Sequence, residues 1–314
     1  MSKLRTAVVG VGYLGRFHAQ KHRALDGIEL VAVCDRDAAR AESVAAEVGT
    51  AAVQDHRELL GKVDAVTIAA TTAEHFALAK FFLEHGVHCL VEKPLTRTSA
   101  EAAVLTKLAA ERKLKLQVGH VERFNPALLA ARETLTTVRF IECHRLAPFK
   151  GRGADVNVIL DVMIHDLDVI LSLVGAKPTA VSAVGIPVLM NDVDIANARI
   201  EFANGAIANV TASRVSTTAQ RRFRVFQPNQ YVSIDFGEGE VRRVTKDGDW
   251  RDGGTPPLRE ETWNLEKGDA LLAETRAFAD AIVNDTPCVV SGADALASLE
   301  LAELIGADIA RRRT

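Results

Sequence analysis

The sequence is poor in cysteine, has no excess of positive charge and contains no apolar run long enough to span a membrane. Its cysteines form no CxxC pair, which argues against structural zinc or a disulfide framework. They are Cys34, Cys89, Cys143 and Cys288. A formal net charge of -3 excludes the strongly basic class of nucleic-acid-binding proteins. No signal peptide precedes the first predicted strand, so we expect a reduced cytoplasmic protein without metal, nucleic-acid or membrane partners.

The most informative segment that is present is a glycine-rich turn near residue 10. The apolar run Ala7–Val9 leads into six residues, Gly10-Val11-Gly12-Tyr13-Leu14-Gly15, and a helix is predicted to follow. In such a turn the first glycine permits the bend and the second lets backbone amides approach a pyrophosphate. The third lets the helix pack close to the strand. Because the motif lies between a strand and a helix, it favours a dinucleotide site over an unrelated glycine turn.

An acidic residue, Asp35, ends the second predicted strand. In a dinucleotide site this carboxylate accepts hydrogen bonds from the adenosine ribose hydroxyls and repels a 2′-phosphate, which favours NAD over NADP. Two alternatives stay open. Asp35 can instead be the N-cap of the next helix, and the guanidinium of Arg36 can stack on adenine or pair with a 2′-phosphate.

Strands and helices alternate over the first 120 residues, which indicates a doubly wound parallel sheet. The predicted strands are Arg5–Gly10, Leu30–Asp35, Ala65–Ala70, His88–Glu92 and Lys115–Gly119. Ligands bind at the carboxyl ends of such strands. The segments expected to converge there are Gly10–Gly15, Asp35, Ala70–Thr72, Glu92–Pro94 and Gly119–His120.

The pattern changes after residue 121. A long strand (Val138–Leu146) and a helix (Val158–Leu173) precede several strands without intervening helices, which argues for an open, largely antiparallel sheet. We therefore predict an α/β Rossmann domain over residues 1–121 and an α+β substrate-binding and oligomerisation domain over residues 122–314. The open sheet face and the apolar alternation over Ile195–Val210 predict a homodimer or homotetramer.

Two further segments carry groups suited to chemistry. Asp161 and His165 are four residues apart on the predicted helix, and a carboxylate beside an imidazole suits abstraction of an alcohol proton. Spacing alone favours a plainer surface ion pair. Lys93, in Glu92-Lys93-Pro94, can be an ordinary strand end before proline. At a cofactor crevice, however, a lysine can stabilise an alkoxide that develops on the reacting oxygen.

Together, the glycine turn, Glu92-Lys93-Pro94 and the Asp161–His165 segment resemble the Gfo/Idh/MocA oxidoreductase family over essentially the whole chain. The resemblance implies that His165 takes the hydroxyl proton while NAD accepts hydride, that Asp161 orients the site and that Lys93 stabilises the alkoxide. It also implies a cis peptide between Lys93 and Pro94. The family often has two glycines before the helix aspartate, whereas this chain has Ile159-Leu160.

The resemblance extends to the cofactor contacts. It implies that NAD is bound by Gly10, Gly12, Tyr13, Leu14, Gly15, Asp35, Arg36, Ala70, Thr71, Thr72, His75, Glu92 and Lys93. His75 matches a loop that touches the nicotinamide ribose, and it is equally compatible with an ordinary residue of a first helical turn.

The stretch from Gly119 to Pro126 looks like that of family members acting on UDP-N-acetylhexosamines, including those that form 3-keto products. The substrate-binding residues that follow from this likeness are His120, Arg123, Asn125 and Arg152. Arg145 and Lys150 are further cationic donors for a diphosphate. The plainer alternatives are that Asn125 caps a helix begun by Pro126 and that the cations are solvated surface charges.

The sequence therefore predicts an NAD-dependent dehydrogenase that oxidises a secondary hydroxyl of a sugar, most favourably a UDP-N-acetylhexosamine. The alternative substrates are a free sugar, inositol or another small polyol. Two alternatives belong to other classes. One is a non-catalytic NAD or ligand sensor, which would tolerate loss of Lys93 or His165. The other is an NADPH-dependent imine or biliverdin-type reductase, against which Asp35 argues.

Overall fold

The computed structural model describes residues 3–149, 156–250 and 254–313 of the chain. These residues form two compact units. Unit 1 consists of residues 1–121 and 269–297, and unit 2 consists of residues 122–268 and 298–314. The chain leaves unit 1 at the predicted boundary, but residues 269–297, which the sequence analysis assigned to the second domain, return to unit 1.

Helices and strands follow one another in chain order, and those that the sequence predicts lie close to the observed ones. The short strand Ala51–Val53 was not predicted. The elements before residue 125 are β1 (Leu4–Val9), α1 (Tyr13–Ala24), β2 (Ile28–Cys34), α2 (Ala38–Val48), β3 (Ala51–Val53), β4 (Ala65–Ile68), α3 (Thr72–Glu84), β5 (His88–Glu92), α4 (Ser99–Glu111) and β6 (Leu116–Gly119). Those after it are α5 (Pro126–Arg132), β7 (Phe140–Leu146), a π-turn (Ile159–Met163), α6 (Ile164–Val174), β8 (Pro178–Ile186), β9 (Ile195–Phe202), β10 (Ile207–Ser213), β11 (Gln220–Gln227), β12 (Gln230–Asp235), β13 (Glu240–Lys246), β14 (Leu258–Asn264), α7 (Ala270–Val283) and α8 (Gly292–Arg313).

Unit 1 is the doubly wound unit that the sequence predicts. Its six strands are all parallel, in the order β3-β2-β1-β4-β5-β6. The central strands β1, β4 and β5 are almost wholly buried, which explains their continuous apolar sequences. The carboxyl ends of all six strands therefore point to one edge of the sheet.

Helix α7 belongs to unit 1 because its apolar face is part of that unit's core. Phe278 and Ala279 lie in one buried cluster with Leu4, Ile28 and Leu90, which come from three strands of the sheet. Burial of this face in unit 1 is the physical reason why residues 269–297 depart from the predicted domain division.

Unit 2 contains one eight-stranded sheet, in the order β14-β13-β12-β11-β7-β10-β9-β8. Strands β7 and β10 pair in parallel, and the other neighbours pair antiparallel, so the predicted largely antiparallel sheet is confirmed. Strands β13 and β14 were not predicted. Both are rich in charged residues, among them Arg242 of β13 and Glu260 of β14, which form an ion pair across the two strands.

The apolar alternation of β9 faces the core of unit 2. Ala196, Ala198 and Ile200 lie in a buried cluster with residues of α6 and the end of α8, whereas Arg199 and Glu201 are exposed. The helices of the unit itself therefore cover this apolar face, and the alternation alone does not indicate a partner. Within the described ranges, no helix is both long and apolar enough to cross a membrane.

Candidate active site

The glycine turn between β1 and α1 has a separate geometric reason for each glycine. Gly10 has a φ of 83°, and a Cβ on it would lie 2.6 Å from the Ala70 Cα. A Cβ on Gly15 would lie 1.8 Å from the Gly10 carbonyl oxygen, so only glycine lets α1 pack this closely. A Cβ on Gly12 would meet none of the described atoms within 4 Å. The turn thus leaves open space beside the backbone amides that begin α1, which is what a pyrophosphate requires.

Asp35 directly follows β2, and its carboxylate holds the glycine turn. Its Oδ2 accepts a hydrogen bond from the Val11 N–H at 2.9 Å, and its Oδ1 accepts one from the Asp37 N–H at 3.0 Å. The N-cap of α2 is Asp37, whose Oδ1 accepts from the Arg40 N–H at 3.1 Å. The alternative in which Asp35 is that N-cap is therefore wrong, and its carboxylate instead accepts hydrogen bonds from Val11, Asp37 and Arg40.

A pocket of ≈ 430 Å³ lies at this edge of unit 1. Six of the predicted cofactor residues line it: Gly10, Gly12, Asp35, Arg36, Ala70 and Thr71. Gln54, His56 and Leu78 line it as well, although the sequence analysis did not include them. Gln54 and His56 follow β3, which has only three residues and is too short to show a periodicity. Their position just after a strand of the parallel sheet is the signal that could have identified them.

The pocket fits the adenosine end of a dinucleotide. It combines an acid for ribose hydroxyls, an open glycine turn for phosphate oxygens and an apolar wall that includes Leu78. Arg36 is 82% exposed in its side chain and lies 3.5 Å from Glu74, while Arg40 lies 3.3 Å from Asp35. Tyr13 and Leu14 are exposed on the first turn of α1.

The Glu92-Lys93-Pro94 segment begins with the last residue of β5 and lies at the same edge of the sheet. The Lys93–Pro94 peptide is cis, as the family resemblance implied. His75, in the first turn of α3, is buried, and its Nδ1 lies 2.9 Å from the Pro94 carbonyl oxygen. Its Nε2 lies 3.1 Å from the Ala70 carbonyl oxygen. His75 thus connects the loop after β4, which contains Ala70 and Thr71 and leads to Thr72 at the start of α3, to the turn that carries Lys93.

In unit 2, Asp161 and His165 lie where the π-turn joins α6. Asn157 starts this turn, because its Oδ1 accepts hydrogen bonds from the N–H groups of Ile159 and Leu160 at 3.1 and 3.2 Å. The predicted uninterrupted helix is therefore wrong over Ile159–Met163, where the wider turn changes the angular spacing of side chains. Asp161 and His165 are both half-buried, so neither belongs to the core. Such π-turns recur at functional sites.

The residue next to His165 belongs to a buried ion-pair group. The Asp166 carboxylate accepts two hydrogen bonds from the Arg145 guanidinium at 3.0 and 2.7 Å, and Glu122 accepts a third at 2.7 Å. Two carboxylates therefore account for the charge of Arg145, and they raise the pKa of its guanidinium despite the opposing effect of burial. Arg145 is thus neither a solvated surface charge nor an open anion donor.

The other predicted substrate residues occupy different environments. His120 is buried in unit 1, and Arg123 is buried in unit 2 with its Nη1 3.8 Å from Asp168 Oδ2. The Asn125 Oδ1 caps α5 by accepting from the Ala127 N–H at 3.0 Å, which confirms the capping alternative. Substrate roles for these three residues stay predictions. Arg152, with Lys150, lies outside the described residues.

The comparisons with known proteins agree with this architecture. Residues 4–120 match the family model described as oxidoreductase family, NAD-binding Rossmann fold, and residues 131–229 match the GFO/IDH/MocA C-terminal domain. The chain is 43% identical over 293 residues to UDP-N-acetylglucosamine 3-dehydrogenase from Acidithiobacillus ferrooxidans, covering 93% of each sequence. A solved structure of that enzyme matches with a TM-score of 0.92 and 41% identity over 98% of each chain.

A second relative acts on a different substrate class. The chain is 34% identical over 333 residues to scyllo-inositol 2-dehydrogenase (NAD(+)) from Bacillus subtilis, covering 95% of this chain and 92% of that protein. Both relatives are dehydrogenases, and both align over nearly their full lengths.

Proposed function

Because the chain belongs to the Gfo/Idh/MocA family of NAD-binding oxidoreductases, we propose that it oxidises a UDP-N-acetylhexosamine to its 3-keto form. The observation that carries this proposal is the 43% identity with a UDP-N-acetylglucosamine 3-dehydrogenase over 93% of both sequences. The inositol dehydrogenase relative has lower identity, 34%. A free inositol or sugar is therefore the second candidate substrate.

Each catalytic residue has one proposed role. His165 accepts the proton of the reacting hydroxyl, and Asp161 orients that histidine and raises its basicity. The Lys93 ammonium donates a hydrogen bond to the same oxygen and stabilises its developing negative charge. NAD, when bound, supplies the acceptor for the hydride that leaves the carbinol carbon.

In this proposal, NAD is bound by residues of unit 1. The glycine turn offers amides to a pyrophosphate, and Asp35 offers a carboxylate to the adenosine ribose. We propose that Arg36, Thr72, His75 and Glu92 complete the NAD site. The substrate side is proposed to rely on His120, Arg123, Asn125 and Arg152.

The deciding experiment is NADH formation by the purified protein with NAD and UDP-N-acetylglucosamine, in the presence of a carbonyl trap that removes the ketone. Parallel reactions contain N-acetylglucosamine, glucose, scyllo-inositol or UDP in place of the nucleotide sugar. We expect NADH to form only in the reaction that contains the nucleotide sugar. If NADH formed only with inositol or glucose, that compound would replace the proposed substrate. If no substrate gave NADH although the protein bound NAD tightly, a ligand sensor would be favoured.

We also propose a homo-oligomer and a cytoplasmic location. Val184, Ile186, Val188 and Leu189 leave an exposed apolar cluster at and beyond the edge strand β8, which supports a partner surface. The four cysteines are free, which suits a reducing compartment. Light scattering coupled to gel filtration tests the first proposal, since a monomer at micromolar concentration would contradict it.

A further inference from the structure

Unit 1 buries a carboxyl group that the proposed reaction does not use. Glu274, on α7, is fully buried, and neither of its carboxylate oxygens has a hydrogen-bond partner among the described residues. An ionised carboxylate in such a place would lose its hydration without compensation. The group must therefore be neutral, or must share a proton or a ligand with a neighbour.

The neighbour is Glu92, which begins the turn that carries Lys93. Glu92 Oε1 lies 2.8 Å from His18 Nε2, and Glu92 Oε2 accepts a hydrogen bond from the Lys93 N–H at 3.1 Å. One ligating atom from each of His18, Glu92 and Glu274 lies within 4.8 Å of the other two. The three side chains thus form one buried cluster, which the Lys93 N–H contacts through Glu92.

The space for this cluster is built into the next strand. A Cβ on Gly119, in β6, would lie 2.9 Å from Glu92 Oε2 and 3.1 Å from the Glu92 Cα. Because Gly119 has no side chain, it leaves the space that the Glu92 carboxylate occupies. The Gln117 amide of the same strand donates to the Glu274 carbonyl oxygen at 3.1 Å, which fixes α7 against β6.

The charges of the cluster follow from these contacts. His18 and the Lys93 backbone stabilise the charged form of Glu92 and hold the pKa of its carboxyl below its ordinary value, although burial opposes them. Burial and the negative charge of Glu92 raise the pKa of the Glu274 carboxyl well above its ordinary value. The contacts and the charges therefore both indicate that Glu92 is ionised and that Glu274 is neutral.

We propose that Glu274 is a neutral carboxylic acid, because its carboxyl, unpartnered among the described residues, is buried within 4.8 Å of the Glu92 carboxylate, and that it is a positioning residue for Lys93. Acting through Glu92, it holds the turn after β5, and with it the lysine that hydrogen-bonds the reacting oxygen. This inference rests on the proposed function for the role of Lys93. The protonation of Glu274 does not depend on that function.

A bound divalent cation is the competing explanation for the cluster. Both oxygens of Glu92 already have N–H or imidazole partners, so a cation would have to displace the bond to His18 or to Lys93. A proton on Glu274 leaves both bonds in place and needs no further ligands. We therefore favour the proton, and elemental analysis of the purified protein decides between the two.

The first test measures the proton directly. Infrared difference spectra of the wild-type protein against Glu274→Gln should show one carbonyl stretching band of a protonated carboxyl at neutral pH. Asp280→Asn is the matched control because it removes a carboxylate from an exposed position on the same helix, and its difference spectrum should lack that band. Absence of the band from the Glu274→Gln spectrum, or one equivalent of transition metal per chain, would overturn the proposal.

The second test separates positioning from packing. Glu274→Leu fills a similar volume without a polar group, and replacing a buried polar group by an apolar one of similar shape can be nearly neutral in stability. We expect it to retain the melting temperature and the Kd for NAD while kcat falls about ten- to a hundred-fold, because small misplacement of a catalytic group has effects of that size. Glu274→Gln should remain within about three-fold of the wild type in kcat, since the amide stays neutral and keeps a donor of similar shape beside Glu92.

Each result has a defined meaning. Normal kcat in Glu274→Leu would overturn the positioning role, as would equal losses in the Leu and Gln variants, because the amide should substitute for a neutral acid. Misfolding of Glu274→Leu would leave the Gln variant and the infrared band as the test. Failure of the wild-type protein to oxidise any UDP-sugar would contradict the proposed function, whereas the infrared band is read without substrate.

Discussion

The Val11 N–H donates a hydrogen bond of 2.9 Å to Asp35 Oδ2, so the acid that directly follows β2 also holds the glycine turn after β1. One carboxylate therefore has two functions that a substitution can separate. Its oxygens are acceptors that shape the turn, and its negative charge lies at the wall of the pocket. An asparagine at this position keeps one acceptor oxygen, which can serve the Val11 N–H, but it loses the acceptor for the Asp37 N–H and removes the charge.

We predict that Asp35→Asn shifts the cofactor preference towards NADP. Removing the carboxylate charge abolishes its repulsion of a 2′-phosphate, and the Kd for NADP should fall by about ten-fold or more relative to that for NAD. Fluorescence titration with both cofactors measures the ratio. Asp35→Ala, which also removes the acceptor for Val11, should weaken binding of both. An unchanged ratio in Asp35→Asn would mean that the charge does not select the cofactor.

Gly12 and Gly15 form a matched pair for a second prediction. Gly12→Ala should fold with wild-type stability, because its Cβ would meet no described atom within 4 Å, yet its Kd for NAD should rise about ten-fold or more as the methyl group occupies the pyrophosphate space. Gly15→Ala places a Cβ 1.8 Å from the Gly10 carbonyl oxygen and should lose roughly 1–3 kcal/mol of stability or more. Thermal unfolding and NAD titration of both variants check the contrast. Normal NAD binding by Gly12→Ala would show that no phosphate approaches this glycine.

The Rossmann unit could be predicted from the sequence because its signals are local. A strand, three glycines and an acid at the end of the next strand specify one geometry, and a continuous apolar run specifies a buried parallel strand. The structure places Gly10, Gly12 and Asp35 around one pocket. His56 could not be assigned in the same way, because the strand that precedes it contains only three residues.

Other features depend on partners distant in sequence. Nothing in residues 270–283 shows that Phe278 packs beside Leu4, because an amphipathic helix does not identify the surface that it covers. The π-turn at Ile159 depends on the Asn157 side chain, and its apolar sequence looks like ordinary helix. The ion pairs of Arg145 required Glu122 and Asp166, which are 23 and 21 residues away, to meet in three dimensions.

We predict that His165→Ala lowers kcat by about a hundred-fold or more, the usual contribution of a positioned general base, while the Kd for NAD is unchanged. The reason is that His165 belongs to unit 2, whereas the cofactor pocket described above is formed by unit 1. Steady-state NADH formation and NAD titration measure the two quantities. His85→Ala, which changes an exposed histidine, is the control. Loss of NAD binding in His165→Ala would contradict the assignment as a base.

Arg145→Met should destabilise unit 2 strongly. The substitution leaves the carboxylates of Glu122 and Asp166 buried without their shared cation, and breaking a buried ion pair in this way costs about 3–5 kcal/mol. Arg199→Met is the matched control, because the Arg199–Glu201 pair is exposed and should contribute no more than about 1 kcal/mol. Chemical unfolding of both variants gives the two free energies. Equal effects would mean that the buried group does not stabilise the helix that carries His165.

His22 makes the stability of unit 1 depend on pH in a predictable direction. Its ring nitrogens lie 2.9 and 2.8 Å from the hydroxyls of Thr6 and Thr67, and burial lowers the pKa of its imidazole to about 3. The unfolded chain has an ordinary histidine pKa of about 6.5, so below that pH the unfolded state binds the extra proton and the native state does not. The contribution to stability is therefore complete above about pH 6.5 and is lost progressively as the pH falls towards 3. Between pH 7 and 4.5 this loss should be roughly 2 to 3 kcal/mol, since each pKa unit corresponds to about 1.4 kcal/mol.

His22→Gln, which cannot titrate, should be less stable than the wild type at pH 7 but should lose less stability on acidification. Urea unfolding of both proteins at the two pH values measures the difference, and parallel losses would show that His22 is protonated in the folded protein.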